Sequence, residues 1–133
     1  MRIHHGMLGK YPAHGDGRIR SYLANEELGA LAATIHENVL NPGAVVPLHL
    51  HEVEEVIVCL EGQAECSLEG QPPQAYAAGS VLIIPPGTRH TIRNTGTGPM
   101  RQICFMPARS AKTQWMEPEG RVECVGAIPW TGT

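Results

Sequence analysis

The stretch GAVVPLHLHEVEEVIVCLEG, residues 43–62, places two histidines and a carboxylate, His49, His51 and Glu55, within seven positions. Side chains alternate across a β-strand, so residues an even number apart share one face if the chain stays extended or bends without a register change between Val53 and Val56. On a helix an offset of two would turn the two histidines about 200° apart. As strand residues, these three side chains can therefore converge on one metal ion, although a lone His-x-His pair also occurs by chance on strand surfaces.

A fourth candidate ligand follows in GSVLIIPPGTRHTIRN, residues 79–94, where His90 comes directly after a Pro-Pro-Gly turn and begins a predicted strand. Imidazole and carboxylate ligands suit Mn, Fe, Co, Ni, Cu or Zn, and a catalytic centre keeps coordination positions open beside three or four protein ligands. The sequence thus indicates one candidate site assembled from two separate segments.

The rest of the chain predicts an all-β fold. Glycine and proline together make up 26 of the 133 residues and separate short apolar segments at fairly regular intervals, whereas a long amphipathic helix is not evident. Such a series of short strands and tight turns is typical of a sandwich or small barrel. The predicted strands are 17–23, 30–40, 45–51, 54–60, 64–69, 74–77, 80–84, 89–94 and 100–106.

Composition excludes several classes of partner. The chain has the length of one domain, its formal net charge is -3, and it has no run of Lys or Arg that would bind nucleic acid or an anionic membrane. A signal peptide and a membrane-spanning segment are not evident, so we expect a cytoplasmic protein. Four cysteines without a Cys-x-x-Cys pair favour buried, reduced thiols.

Both segments resemble the two signature motifs of the cupin superfamily. Gly43, His49, His51, Glu55 and Gly62 match G-x5-H-x-H-x3-E-x6-G. The second motif, G-x5-P-x-G-x2-H-x3-N, is matched at Gly79, Pro85, Gly87, His90 and Asn94. The resemblance, which is to small single-domain prokaryotic cupins, implies a jelly-roll β-barrel, also called a double-stranded β-helix.

By the same resemblance, His49, His51, Glu55 and His90 would hold one divalent first-row transition metal inside the barrel, whose identity (Fe, Mn, Ni, Zn, Cu or Co) stays open. We expect an irregular segment over residues 1–16, the cupin barrel over 17–107, and over 108–133 an arm that packs on the barrel or on a partner subunit.

Four polar residues on predicted strands are candidates for the wall of a substrate pocket: Arg18, Arg20, His36 and Gln102. An arginine there could pair with a substrate carboxylate through two hydrogen bonds. Each of these side chains could equally lie on a solvated face. Cys104 could lie near the metal or simply pack as a thiol.

The first functional hypothesis is a metal-dependent oxidoreductase of the dioxygenase type that acts on a small molecule. The alternatives are a metal-dependent isomerase or lyase acting on a sugar acid or keto acid, and a small-ligand-binding cupin without catalysis. The runs VIVCL and VLII are apolar at every position, so both faces of those strands need cover and a homodimer is expected.

Overall fold

The computed structural model of the chain describes residues 1–9, 17–116 and 119–125, the last range by its backbone alone. The described residues form eleven β-strands and no helix, which confirms the all-β prediction. In chain order the strands are β1 Arg18–Ala24, β2 Thr34–Leu40, β3 Val45–His51, β4 Glu55–Glu61, β5 Gln63–Leu68, β6 Gln74–Ala77, β7 Val81–Ile84, β8 His90–Asn94, β9 Met100–Met106, β10 Ala111–Met116 and β11 Glu119–Val125.

These strands make two antiparallel sheets that face each other. The five-stranded sheet has the order β1-β2-β9-β4-β7, and the six-stranded sheet has the order β11-β10-β3-β8-β5-β6. Consecutive strands often belong to different sheets, as β3 and β4 do, so the chain repeatedly crosses from one sheet to the other. This arrangement is the predicted jelly roll.

The barrel interior follows from alternation along each strand. In β9, MRQICFM, every second residue is buried, so Met100, Gln102, Cys104 and Met106 point inward. Apolar inward side chains, among them Leu40, Met100 and Cys104, form the main core of the barrel. Polar inward side chains gather in the space that remains, and the candidate site lies there.

The glycine that ends the first motif has a steric role. Gly62 joins β4 to β5 with a φ of 85°, and a Cβ atom at this position would lie 2.5 Å from the backbone oxygen of Pro99. Both the left-handed backbone and the close approach exclude a larger residue. The position is therefore explained by the turn rather than by metal binding.

All nine strands expected from the sequence are present, although the second begins at Thr34 and not at residue 30. The sequence analysis missed β10 and β11. Strand β10 alternates buried and exposed residues, yet its inward positions include Thr113 as well as Trp115, so its pattern is not a plain apolar one. β10 pairs with β3 and extends the sheet beyond residue 107, where the arm was expected to begin.

Among the residues of the expected irregular segment 1–16, residues 10–16 lie outside those described. Residues 1–9 form neither strand nor helix, and His4 Nε2 lies 2.9 Å from the backbone oxygen of Leu28. None of the described segments is a helix with the length and apolarity needed to cross a bilayer.

Strand β10 should contribute strongly to stability, because Trp115 is 1% exposed within the core. We expect Trp115→Ala to lower the free energy of unfolding by about 3–5 kcal/mol in urea titrations followed by circular dichroism. The matched control is Gln114→Ala on the exposed face of the same strand, for which a change within about 0.5 kcal/mol is expected. Equal losses in the two variants would contradict this role for β10.

Candidate metal centre

Four potential ligands from three strands meet inside the barrel. His49 and His51 lie on β3, Glu55 is the first residue of β4, and His90 is the first residue of β8. One donor atom from each lies within 4.8 Å of the donor atoms of the other three, and all four side chains are buried. The structure thus brings together the residues that the two motifs single out.

Strand pairing explains this convergence. His49 on β3 is paired directly with His90 on β8. The turn that precedes β8 is also tied to β3, because the backbone N–H of Gly87 donates to the backbone oxygen of His51 at 2.7 Å. The two motifs are therefore held in register by backbone hydrogen bonds that do not depend on any ion.

Glu55 reaches the site from the sheet opposite the histidines. The sequence left open whether the chain stays extended or bends between Val53 and Val56; in the structure β3 ends at His51, and residues 52–54 carry the chain into the other sheet. Glu55 faces the histidines because the inner surfaces of the two sheets oppose each other. The carboxylate and the imidazoles therefore approach from opposite walls of the barrel.

Backbone carbonyls orient two of the three imidazole rings. His49 Nδ1 lies 2.7 Å from the oxygen of Pro47, and His90 Nδ1 lies 2.8 Å from the oxygen of Thr88. Since a carbonyl oxygen can only accept, Nδ1 carries the proton in both rings. In a neutral imidazole the Nε2 atom then has a free lone pair, which is the form that binds a metal.

The third ring is oriented by β10, since Thr113 Oγ1 lies 3.2 Å from His51 Nδ1. On the other side of the rings, the Glu55 carboxylate lies between two of the Nε2 atoms. Oε2 is 3.6 Å from His51 Nε2, and Oε1 is 3.4 Å from His90 Nε2. His90 Nε2 is buried and makes no hydrogen bond within the described part of the chain.

The protonation states suit ligation. Burial lowers the pKa of His49 and of His51, and the neighbouring His90 ring lowers both further, so these rings are neutral near pH 7. Burial alone would raise the pKa of Glu55, but the surrounding His51 and His90 rings hold that pKa well below its usual range. Neutral imidazoles and an ionised carboxylate are the forms that metals require.

These observations fit a divalent first-row ion. Two ligand atoms that are each about 2.1 Å from one ion lie about 3.0 to 3.4 Å apart. The separations of 3.4 and 3.6 Å between Glu55 and two of the imidazoles are close to this range. Small side-chain movements would therefore close the four donors, including the unpartnered Nε2 of His90, around an ion.

Three of the four predicted wall residues line the cavity beside the ligands. The cavity is about 20 Å³ in volume, and its wall includes Arg20, His36 and Gln102. Arg18 does not line it. Its guanidinium instead lies 5.7 Å from the centroid of the Trp115 ring, and its side chain lines an adjoining cavity of similar size.

His36 is the most unusual group of the wall. Its side chain is 3% exposed, and its Nδ1 atom has no hydrogen-bond partner among the described residues. Burial, aided by the positive charge of Arg20, lowers the pKa of His36 to about 3, so the ring is neutral. One of its nitrogens also lies within 4.8 Å of donor atoms of Glu55 and Cys104, which places the ring next to the ligand set.

The structure adds wall residues that the sequence analysis did not select. Tyr76 donates its hydroxyl to Gln102 Oε1 at 2.8 Å, while the side-chain amides of Gln102 and Asn38 donate to Cys104 Sγ at 3.8 and 3.6 Å. Burial, with the thiols of Cys104 and Cys66 nearby, raises the pKa of Tyr76 far above its ordinary value. In the sequence, only its place on a predicted four-residue strand points to Tyr76, and this is a weak signal.

Cys59, Cys66 and Cys104 are buried free thiols, as expected. Burial raises the pKa of all three, to about 11 for Cys66. The side chains of Cys124 and Trp130 lie outside the described residues.

The contact between Thr113 and His51 can be tested without changing any ligand. We expect Thr113→Val to weaken metal binding about 10- to 100-fold, because the His51 ring loses the partner that orients it. The measurement is a competition titration against a chromophoric chelator. Thr91→Val on the outward face of β8 is the matched control, and an unchanged affinity in both variants would show that Thr113 does not orient the ring.

Comparison with known proteins identifies the fold family. The family model described as "Cupin domain" matches residues 37–106, more than half of the chain. Dimethylsulfoniopropionate lyase DddQ of Ruegeria pomeroyi is 37% identical over 80 residues, which are 60% of this chain and 40% of that protein. Protein SchB of Streptomyces halstedii is 32% identical over 81 residues, 60% of this chain and 58% of that protein. The chain therefore spans less than two thirds of the length of these curated relatives.

Among solved structures, the polyketide cyclase RemF from Streptomyces resistomycificus superposes with a TM-score of 0.72 at 19% identity, over 99% of this chain and 89% of that chain. Such a likeness concerns the fold alone. With its jelly-roll fold, its paired motifs and the family match over residues 37–106, the chain belongs to the cupin family.

Proposed function

We propose that this cupin is a metal-dependent enzyme that acts on a small carboxylate. The observation that supports the proposal most strongly is the buried group of three histidines and Glu55, in which each Nδ1 atom has a partner and each Nε2 atom is left for the ion. A bound divalent ion would supply Lewis-acid chemistry or, if it were iron, manganese or copper, one-electron chemistry. The metal itself stays one of Fe, Mn, Ni, Zn, Cu or Co.

Charge favours an anionic substrate. A divalent ion held by neutral imidazoles and the single carboxylate of Glu55 keeps a net charge of about +1. Arg20 adds a second positive charge on the same cavity. A substrate carboxylate could pair with the guanidinium through two hydrogen bonds.

We place non-oxidative chemistry first, whereas the sequence alone favoured oxidation. The wall carries His36, the amides of Asn38 and Gln102, and the Cys104 thiol, all of which can contact a polar substrate. DddQ, with 37% identity over 80 residues, is a lyase. We therefore propose elimination or isomerisation first and dioxygenase-type oxidation second, the latter supported by a ligand set that also suits iron.

In an elimination, Arg20 would hold the substrate carboxylate, whose negative charge would raise the low pKa of His36. The His36 ring would accept the proton from the carbon beside the carboxylate through Nδ1, which has no partner among the described residues. The C–H electron pair would form the new C=C bond while the leaving group departs with its own bonding pair. The amides of Gln102 and Asn38 would orient the substrate. His36 would then release the proton to solvent.

The activity test uses protein purified without a His-tag and loaded separately with each of the six metals. β-Substituted propionates with neutral substituents are supplied together with dimethylsulfoniopropionate, whose substituent is charged, and vinyl protons of the product are followed by NMR. We expect metal-dependent product formation that His90→Ala abolishes together with bound metal. His36→Gln should retain the metal but lower kcat about 100-fold or more.

His5→Ala, in the exposed amino-terminal segment, is the control for both histidine variants. Product formation that does not depend on metal, or that persists in His90→Ala, would contradict the proposal. Consumption of dioxygen with the same substrates, measured with an oxygen electrode, would instead support the oxidative alternative. Stoichiometric metal without turnover of any substrate would favour a ligand-binding role.

The expected homodimer also stays a proposal. Its support is the outer face of β4 and β7, where Val58, Leu60, Val81 and Ile83 are exposed, the last at 66%. Light scattering should give twice the 14.4 kDa chain mass, and Ile83→Lys should shift the protein to the monomer mass. A monomeric native protein would refute the dimer.

A further inference from the structure

The cavity beside the candidate metal ligands is too small for an organic substrate. Its volume of about 20 Å³ corresponds to roughly one water molecule. Sites for small organic molecules usually measure about 300–1,000 Å³. Only the head group of a substrate can therefore lie against the ligands, and the rest of the molecule must lie elsewhere.

A larger space opens where the two sheets separate. β6 is the last strand of the six-stranded sheet and β7 is the last strand of the five-stranded sheet, and a cavity of about 440 Å³ lies between them. We call it the β6–β7 gap. Its lining includes Leu68, Tyr76, Leu82 and Ile84, and none of the described residues that line it is charged.

Tyr76 connects the gap to the candidate centre. Its side chain lines the gap, and its hydroxyl donates to Gln102, which lines the cavity beside the ligands. One hydrogen-bonded pair of side chains therefore reaches from the gap to the cavity beside the ligands.

We propose that the β6–β7 gap binds the apolar body of the substrate, an alkyl chain or a ring, while its polar head passes Tyr76 to reach the metal ligands. The lack of charged groups in the lining selects a neutral body, because a charge placed there would find no partner. This inference rests on the proposed function only for the position of the head group. The gap itself is formed by side chains that take no part in metal binding.

The experiment uses a series of straight-chain hydroxamates from acetohydroxamate to octanohydroxamate, whose two oxygens chelate metals. Dissociation constants are measured by isothermal titration calorimetry on metal-loaded protein and on chelator-treated protein. In both forms we expect affinity to rise about fourfold for each methylene group that enters the gap. The hydroxamate head group should add to the affinity only in the metal-loaded form.

Leu82→Trp fills the gap from the inner face of β7 and should remove the dependence of affinity on the length of the hydroxamate chain. Acetohydroxamate binding and metal content should stay unchanged. Gln74→Trp, an exposed position at the rim, repeats the test where folding is not at risk. Leu31→Trp is the matched control, because Leu31 is 83% exposed and does not line the gap.

If the protein takes up no metal but its affinity for hydroxamates still rises with chain length, the proposed metal centre is wrong and the gap is supported as a binding site. Equal affinity for all chain lengths in both forms would overturn the inference. It would also be overturned if Leu82→Trp and Gln74→Trp left the dependence of affinity on chain length unchanged.

Discussion

The candidate site depends on one electrostatic constraint, the burial of the Glu55 carboxylate. An ionised carboxylate inside a protein is very unfavourable unless cationic or hydrogen-bonding groups compensate it. Here two imidazoles lie within reach of the carboxylate, His90 at 3.4 Å and His51 at 3.6 Å, and burial lowers the pKa of His51. A divalent cation among these groups would compensate the carboxylate and use the lone pair of His90 Nε2.

The two sheets provide the rigidity that such a site requires. Glu55 lies on one sheet and the histidines lie on the other, so the distance between the carboxylate and the rings depends on how the sheets pack. Carbonyl groups of Pro47 and Thr88 orient two of the rings, and β10 orients the third through Thr113. The ligand geometry is therefore a property of the folded barrel, and the ion would add stability by binding to the native state alone.

Much of this arrangement was predictable from local patterns. Alternation and turn residues locate nine of the strands, and the spacing of the two motifs selects all four residues that converge. Strand β10 was missed because one of its inward positions is Thr113, whose partner is His51, 62 positions away in the chain. A contact of this kind becomes visible only when the pairing of β10 with β3 is known.

Other features of the site also depend on tertiary structure. The course of the chain to Glu55 stayed open because a local pattern does not tell where the chain leaves one sheet for the other. Arg18 was grouped with Arg20, since both point inward from β1, but the two side chains lie at different depths, and Arg18 packs over Trp115. Tyr76 stands on a short strand with little pattern, and only its bond to Gln102 links it to the site.

The central claim is that one ion binds to the three histidines and Glu55. X-ray absorption spectroscopy of the metal-loaded protein tests it most directly, because the technique reports the elements bound to the metal and their distances. The account predicts a shell of nitrogen and oxygen atoms only, at about 2.0–2.2 Å, with the outer-shell scattering of about three imidazole rings. A sulfur atom at about 2.3 Å would place the ion on Cys104 with His36 and Glu55 instead, and would contradict the account.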